Sequence, residues 1–107
     1  MTNRIQELTV DKTWRNEQDA WNNRSNYFVE MHNRDDRKAQ VTEFLSFLKD
    51  ENLLPPKGGC TLDIGCGVCD YALGLAREGH KATGIDLTDC MIRGAKQLAE
   101  AEGLDLS

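Results

Sequence analysis

The segment DIGCGVCD, which begins at Asp63, holds the residues best suited to chemistry, and two interpretations of it are open. Cys66 and Cys69 form a C-x-x-C pair, the spacing found in thiol–disulfide exchange and in metal sites. Gly65 and Gly67, placed after an acid, form a glycine-rich turn of the kind that lets the backbone approach a nucleotide-like cofactor. The cysteines would carry the chemistry in the first interpretation and would be bystanders in the second.

A second acid favours the cofactor interpretation. Asp86 lies 21 residues after Gly65 at the end of the next apolar segment, where a carboxylate can accept both ribose hydroxyls of an adenosine cofactor. The dinucleotide fingerprint would need glycine at position 70, but the chain has Asp70 there. The carboxylates of Asp63 and Asp70 would repel a pyrophosphate, so a cofactor without phosphate and with a positive centre fits better.

The thiol interpretation explains fewer residues. It leaves the glycines and the acids without a role, and the chain lacks the aromatic residue and the proline that usually accompany a redox-active pair. Cys60 and Cys90 are thirty residues apart, so only one close pair exists and no metal site is predicted. We expect four reduced thiols, mostly buried as small apolar groups, and solvated side chains at His32 and His80.

The elements that must position the turn alternate between strand and helix. They are predicted as a strand at 60–65, a helix at 69–78 that ends at Gly79, a strand at 81–86, and a helix from a cap at Thr88 or Asp89 to Gly103. This order predicts an α/β fold with a Rossmann-like parallel sheet and right-handed crossovers, in which the first strand is buried. Two strands are too few for a stable sheet, so the fold is predicted to be incomplete, with an exposed edge that invites self-association.

The first half of the chain is predicted to be helical. Residues 1–54 form an N-terminal helical cap segment, the breaker PPKGG at 55–59 is a linker, and residues 60–107 form the β-α-β-α unit, which stops before a third strand. A helix predicted over 36–52 carries one buried stripe, made of Val41, Phe44, Leu45 and Leu48.

Aromatic residues recur in the polar segment at 13–34. Trp14, Trp21 and Phe28 are spaced by seven residues, which places them near one helical face that packs on the core. A sharper hypothesis makes one ring, Tyr27, a lid over a ligand.

Composition excludes several classes of protein. The 107 residues carry a formal net charge of −5, and residues 60–107 hold four basic and eight acidic side chains. Nonspecific binding to nucleic acid through phosphates is therefore disfavoured. No apolar run approaches a membrane span, and the N-terminus shows no secretory signal, so we expect a cytoplasmic protein without a membrane partner.

The segment TLDIGCGVCDYALGLAREGHKATGIDLTDCMIRGAKQLAEAEGLDL resembles the first β-α-β-α unit of class I S-adenosylmethionine-dependent methyltransferases. Asp63, Gly65 and Gly67 match the family motif (D/E)-x-G-x-G-x-G. The resemblance implies that the backbone of Gly65, Cys66 and Gly67 lines S-adenosylmethionine and that Asp63 helps to hold its methionine ammonium group.

The resemblance also extends to flanking segments. GIDLTDCM is similar to the second family motif, which implies that Asp86 holds the ribose hydroxyls, that Leu87 flanks the adenine and that Met91 lies near it. Upstream, AWNNRSNYF is similar to a segment in the helices that precede many of these domains. It makes three further residues candidates for a cofactor lid: Trp21, Arg24 and Tyr27.

Two departures from the family pattern matter. Cys69 replaces the third motif glycine; it can fit if its φ is negative, and close packing or cofactor affinity is expected to suffer at this position. The later strands, which shape the acceptor pocket and usually supply catalytic groups, have no counterpart here, so no catalytic residue or methyl acceptor is predicted. The expected function is methyl transfer from S-adenosylmethionine, leaving S-adenosylhomocysteine. Alternatives are a catalytically inactive cofactor-binding unit that self-associates and, less favoured, a C-x-x-C redox or metal module.

Overall fold

The computed structural model describes residues 15–22 and 24–107. In chain order the described elements are α1 (Arg15–Asn22), α2 (Ser25–His32), α3 (Asp35–Asp50), β1 (Cys60–Ile64), α4 (Asp70–Arg77), β2 (Lys81–Ile85) and α5 (Asp89–Glu102). The predicted β-α-β-α order is confirmed from β1 onward. The polar segment predicted at 13–34 contains two helices, and Trp14 lies outside the described residues.

The two strands are parallel, with Cys60 opposite Lys81 and Ile64 opposite Ile85. The other edge of β2 is also occupied. The Ser107 N–H donates to the Ala82 carbonyl at 3.1 Å, and the Ser107 carbonyl accepts from the Gly84 N–H at 2.9 Å. This is the bonding pattern of a parallel strand, so the described residues form an incomplete Rossmann-like sheet that is extended beyond β2.

Left-handed glycines end the two helices that alternate with the strands. Gly79 follows α4 with φ +95°, and Gly103 follows α5 with φ +66°. Beyond them, the His80 N–H reaches back to the Leu75 carbonyl at 3.1 Å, and the Leu104 N–H to the Ala99 carbonyl at 2.9 Å. Both helix ends are therefore closed as the sequence predicts, by backbone bonds that a glycine at the C′ position permits.

The helices pack together closely on one side of the sheet. At Gly74 on α4, an added Cβ would lie 2.7 Å from Val41 Cγ1 and 2.9 Å from Leu45 Cδ1, both on α3. Phe44 is an exception to the predicted stripe, because it is 44% exposed and only stacks edge-on against Tyr71, with 4.9 Å between the ring centroids. The buried apolar residues form one core, made of Val41, Leu45, Val68, Cys69, Ala72, Leu73, Leu75, Ala82, Met91, Ala95, Leu98 and Ala99.

The prediction that the first strand is buried is wrong for one of its faces. Leu62 and Ile64 are 59% and 75% exposed, and Ile85, opposite Ile64, is 47% exposed. These side chains share the face of the sheet that is turned away from Ala82 and the helices, and we call it the bare face. Burial of a strand needs a layer on each side, and the described helices supply only one. None of them is long and apolar enough to cross a membrane.

Candidate functional site

The turn between β1 and α4 contains three left-handed residues. Gly65 has φ +70°, Gly67 has φ +58° and Cys69 has φ +65°. The condition under which Cys69 is expected to fit, a negative φ, is therefore not met: the cysteine adopts the conformation that the motif glycine would adopt. A side chain in that conformation costs about 1–2 kcal/mol. We call residues 65–69 the cofactor turn.

Two backbone hydrogen bonds fix the shape of the cofactor turn. The Cys66 N–H donates to the carbonyl of Ile85, the last residue of β2, at 2.9 Å, and the Cys69 N–H donates to the Cys66 carbonyl at 2.8 Å. A Cβ added at Gly65 or Gly67 would meet no atom within 4 Å. The glycines are therefore required for their conformation, and the space beside them is open to a ligand.

Asp86 ties the turn to the segment after β2. Its Oδ2 atom accepts a hydrogen bond from the Gly67 N–H at 2.8 Å, and its Oδ1 atom accepts one from the Thr88 N–H at 2.9 Å. The Thr88 side chain itself makes no capping bond to α5. The carboxylate thus anchors two loops at the carboxyl edge of the sheet, and each oxygen keeps a second lone pair for a hydroxyl donor.

Asp63 lies at the end of β1, beneath the turn. Burial raises the pKa of its carboxyl above the usual range, whereas a hydrogen bond from the Ala72 backbone N–H lowers it, and the charges of Asp70 and Asp86 raise it further. Two neighbouring carboxylates therefore act on Asp63 at the turn. Such a set favours a cationic ligand and disfavours a phosphate.

The expectation of four reduced thiols is wrong at the turn, because Cys66 and Cys69 are joined by a disulfide. Their sulfur atoms lie over Gly84 of β2, where an added Cβ would be 2.8 Å from Cys66 Sγ and even closer to Cys69 Sγ. Cys60 is exposed, and Cys90 Sγ lies 2.9 Å from an Arg93 guanidinium nitrogen. Gly84 is thus a site residue that the sequence analysis missed: it leaves room for the two sulfurs.

The remaining predicted site residues lie in different surroundings. Leu87 follows Asp86 and is 69% exposed, whereas Met91 is 3% exposed and belongs to the core. Tyr27 and Trp21 are exposed, and the Arg24 guanidinium lies 5.3 Å from the centre of the Trp21 ring. The predicted contacts of these residues with a cofactor stay predictions.

The prediction of solvated histidines is wrong. His32 is 2% exposed and His80 is 9% exposed. His32 Nδ1 lies 2.6 Å from Asp70 Oδ1, at the first residue of α4, and its Nε2 lies 3.1 Å from an Arg77 guanidinium nitrogen. No local pattern could reveal this cluster, since His32 and Asp70 are 38 residues apart in the chain.

Comparison with known proteins agrees with this geometry. A family model described as a methyltransferase domain matches residues 61–107, the part that contains the parallel strands, the cofactor turn and Asp86. Residues 61–107 therefore resemble part of a class I methyltransferase domain, and we call them the methyltransferase segment.

Similar proteins cover only a part of this chain. A protein of Geobacillus sp. (strain WCH70), provisionally named a methyltransferase, is 46% identical over 41 residues, which are 38% of this chain and 17% of that protein. A 23S rRNA (uracil(747)-C(5))-methyltransferase of Pyrococcus abyssi is 37% identical over 51 residues, 48% of this chain and 12% of that protein. An S-adenosyl-L-methionine-dependent Diels-Alderase of Talaromyces variabilis is 39% identical over 49 residues, 46% of this chain and 17% of that protein.

A solved structure also matches part of this chain. It comes from work on the conversion of a disulfide bond into a thioacetal group during echinomycin biosynthesis, and it is 38% identical with a TM-score of 0.50. The match covers 57% of this chain and 24% of that one. The matched part of this chain thus corresponds to less than a quarter of each of these proteins.

Proposed function

We propose that this methyltransferase segment binds S-adenosylmethionine and contributes to the transfer of its methyl group to an acceptor. The observation that carries the proposal is the pair of bonds that Asp86 accepts from Gly67 and Thr88. They hold a carboxylate beside an open, left-handed glycine turn. The chemistry of the site also fits this cofactor, because the acids suit an ammonium and a sulfonium charge and the glycines leave room for close approach.

In this proposal each residue has a distinct task. Asp86 accepts the ribose hydroxyls, the exposed Leu87 flanks the adenine, and Asp63 balances the ammonium charge. The backbone from Gly65 to Gly67 lines the cofactor. When bound, the sulfonium supplies an already activated methyl group, so the protein mainly holds the reactants in line.

The upstream helices complete the proposed site. Val29 on α2 packs against Gly94 on α5, where an added Cβ would be 2.8 Å from Val29 Cγ2. This contact holds α2 beside the helix that follows Asp86. It supports the hypothesis that Trp21, Arg24 and Tyr27 form part of a cofactor lid.

Calorimetric titration with S-adenosylhomocysteine tests the proposal. Asp86→Asn keeps the shape of the side chain but weakens its acceptance of ribose hydroxyls, so we expect affinity to fall about tenfold or more. Asp89→Asn, an equal charge change at an exposed position, is the matched control and should bind like the parent chain. For an analogue of S-adenosylhomocysteine that lacks the 2′-hydroxyl, Asp86→Asn should reduce affinity less than it does for S-adenosylhomocysteine itself. If Asp86→Asn and Asp89→Asn bind each of the two ligands equally well, Asp86 does not hold the ribose.

A second candidate is a cofactor-binding unit that is inactive by itself and self-associates. The bare face favours it, since Leu62, Ile64 and Ile85 are exposed and the outer edge of β1 has no partner strand in the described part of the chain. Sedimentation analysis should then show dimers or larger species, and the release of S-adenosylhomocysteine from the bound donor should be absent with every acceptor tested. A dispersed monomer at all concentrations would exclude this candidate.

The disulfide favours a third and weaker candidate, thiol–disulfide exchange. The Cys66 and Cys69 thiols would together reduce a low-molecular-weight disulfide to two thiols and themselves become the disulfide. Cys69→Gly removes the pair and places the motif glycine at the left-handed position. We expect it to bind S-adenosylhomocysteine at least as well as the parent chain. If the parent chain exchanges disulfides rapidly but binds no cofactor, the thiol function is correct and the methyltransferase function is not.

A further inference from the structure

A cluster of charged side chains joins the upstream helices to the first turn of α4. His32 ends α2 and is 2% exposed, with its Nδ1 atom 2.6 Å from Asp70 Oδ1. Arg37 of α3 approaches the same carboxylate, with its Nη1 atom 3.6 Å from Asp70 Oδ2. Asp70 is therefore held from two helices that precede the methyltransferase segment.

The other side of the imidazole meets a second ion pair. Arg77 of α4 donates two hydrogen bonds to Glu102 of α5, at 2.8 and 2.9 Å. His32 Nε2 lies 3.1 Å from an Arg77 nitrogen and 3.5 Å from Glu102 Oε2. The ring thus lies between α4 and α5 and contacts charged groups on both. We call His32, Arg37, Asp70, Arg77 and Glu102 the charged cluster.

Asp70 is the link between this cluster and the cofactor turn. It directly follows the left-handed Cys69, whose carbonyl accepts the Leu73 N–H at 2.8 Å and so closes the first turn of α4. Any displacement of the Asp70 side chain is therefore passed to a residue whose backbone conformation is already unfavourable. Nearby, Val68 of the turn lies beside Gly94, where α2 also makes contact through Val29.

The cluster also affects the electrostatics of the turn. The Asp70 charge acts on Asp63 and raises the pKa of its carboxyl. The Arg37 guanidinium group lies near Asp70, with its Nη1 atom 3.6 Å from Asp70 Oδ2. This positive charge partly offsets the repulsion between Asp70 and Asp63.

We propose that His32 is a positioning residue: it holds Asp70, and through it the cofactor turn, in the conformation that binds S-adenosylmethionine. The inference rests on the proposed function, because the ligand is the one assigned there. It adds that cofactor affinity depends on a residue that lies outside the family match at 61–107 and makes no contact with the ligand.

Replacement of the imidazole tests the proposal. His32→Leu removes the bond to Asp70, whereas His32→Asn can place an amide nitrogen where Nδ1 lies and donate the same bond. We expect S-adenosylhomocysteine affinity to fall about tenfold in His32→Leu, a typical size for coupling between sites, and to change less than about twofold in His32→Asn. His80→Leu, a change at the other buried histidine, is the matched control and should leave affinity unchanged.

Amide hydrogen exchange provides a readout that needs no cofactor. In His32→Leu the amides of Gly67 and Leu73 should exchange faster than in the parent chain, whereas His80→Leu should leave both unchanged. Hydrogen exchange distinguishes a failure of the proposed function from a failure of the positioning proposal. If the parent chain binds no S-adenosylhomocysteine but the exchange result holds, the proposed function fails and the positioning contact stands. If His32→Leu loses thermal stability while affinity and both amides are unchanged, the proposal is overturned and His32 is merely structural.

Discussion

The two faces of the sheet differ in how closely they are packed. We call the face that carries Ala82 and Gly84 and packs against the helices, opposite the bare face, the covered face. There Gly84 lies so near the sulfurs of Cys66 and Cys69 that an added Cβ would overlap them, and in the helical layer Gly74 lets α3 approach α4 closely. On the bare face Leu62 and Ile64 remain mostly exposed. The face that supports the cofactor turn tolerates almost no added volume, whereas the opposite face contributes little to the packing of the described residues.

Gly84→Ala, a change on the covered face, should have the largest effect on stability and on cofactor binding. The new methyl group would overlap the disulfide, and overpacking of this kind costs about 1–3 kcal/mol. Displacement of the turn should also weaken S-adenosylhomocysteine binding by more than about tenfold. Denaturant unfolding and calorimetry measure the two effects.

The matching control combines Gly84→Ala with Cys66→Ala and Cys69→Gly. Removal of both sulfurs makes room for the methyl group, so most of the lost stability should return. If Gly84→Ala alone is neutral, the close contact on the covered face does not limit packing.

Gly94→Ala tests the contact between the upstream helices and the turn. The added methyl group would lie 2.8 Å from Val29 Cγ2 and 3.2 Å from Val68 Cγ1. Overpacking at a cost of about 1–3 kcal/mol is partly offset by a gain in helix propensity of about 1 kcal/mol. We expect a net loss of about 1 kcal/mol, recovered when Val29→Ala is added, by thermal unfolding. A stabilised Gly94→Ala variant would mean that α2 does not pack tightly here.

The pH dependence of stability should reflect the ion pair between Arg77 and Glu102, which joins two helices on the covered face. The hydrogen bond from Arg77 lowers the pKa of Glu102, burial opposes this, and His32 lowers it further. The stability that the ionised Glu102 provides is fully present above its ordinary value of 4.5 and is lost as the pH falls through its lowered pKa.

Asp63 contributes with the opposite sign, because its pKa is raised: its share is present below 3.8 and is lost as the pH rises through the raised value. Glu102→Gln should therefore remove the acid-induced loss of stability and leave the Asp63 contribution. Denaturant unfolding over a pH series checks this. If Glu102→Gln loses as much stability at low pH as the parent chain does, Glu102 is not the source of that loss.

Ile64→Thr on the bare face should have the smallest effect. The side chain is 75% exposed, so we expect a change in unfolding free energy within about 0.5 kcal/mol. Sedimentation should shift toward smaller species if the bare face drives association. A loss of stability above about 1 kcal/mol without a change in sedimentation would show that this residue packs within its own chain.

The features that the sequence predicts correctly depend mostly on residues that are close together in the chain. The strands, the alternating helices and the terminal Gly79 and Gly103 follow from apolar periodicity and from backbone rules that act over a few residues. The glycine turn and Asp86 could be located because their spacing reflects one β-α-β unit. The structure adds that Asp86 also accepts backbone bonds, which no spacing reveals.

The incorrect predictions involve distant partners or missing layers. The sequence predicts a solvated His32. Its partners Asp70 and Glu102 lie too far along the chain for a local pattern to reveal the contacts that bury it. A negative φ is the condition for Cys69 to fit, because L-residues generally prefer it, but the fold imposes the conformation of the motif glycine. The burial of β1 was predicted from its apolar composition, whereas only packing from both sides could bury it.

The pairing of Ser107 with β2 has a topological consequence. The sheet extends from β1 through β2 to Ser107, and the connecting helices α4 and α5 share one core with Ala82, which lies on the covered face. Right-handed crossovers in one direction place their helices on one side, and crossovers in the reverse direction place them on the other. In the described residues the outer edge of β1 is unpaired, and any parallel strand added there by such a connection would carry its helix across Leu62 and Ile64. The same added strand and helix would thus cover both this edge and the bare face, and the cofactor turn lies at the point where the direction of the crossovers would reverse.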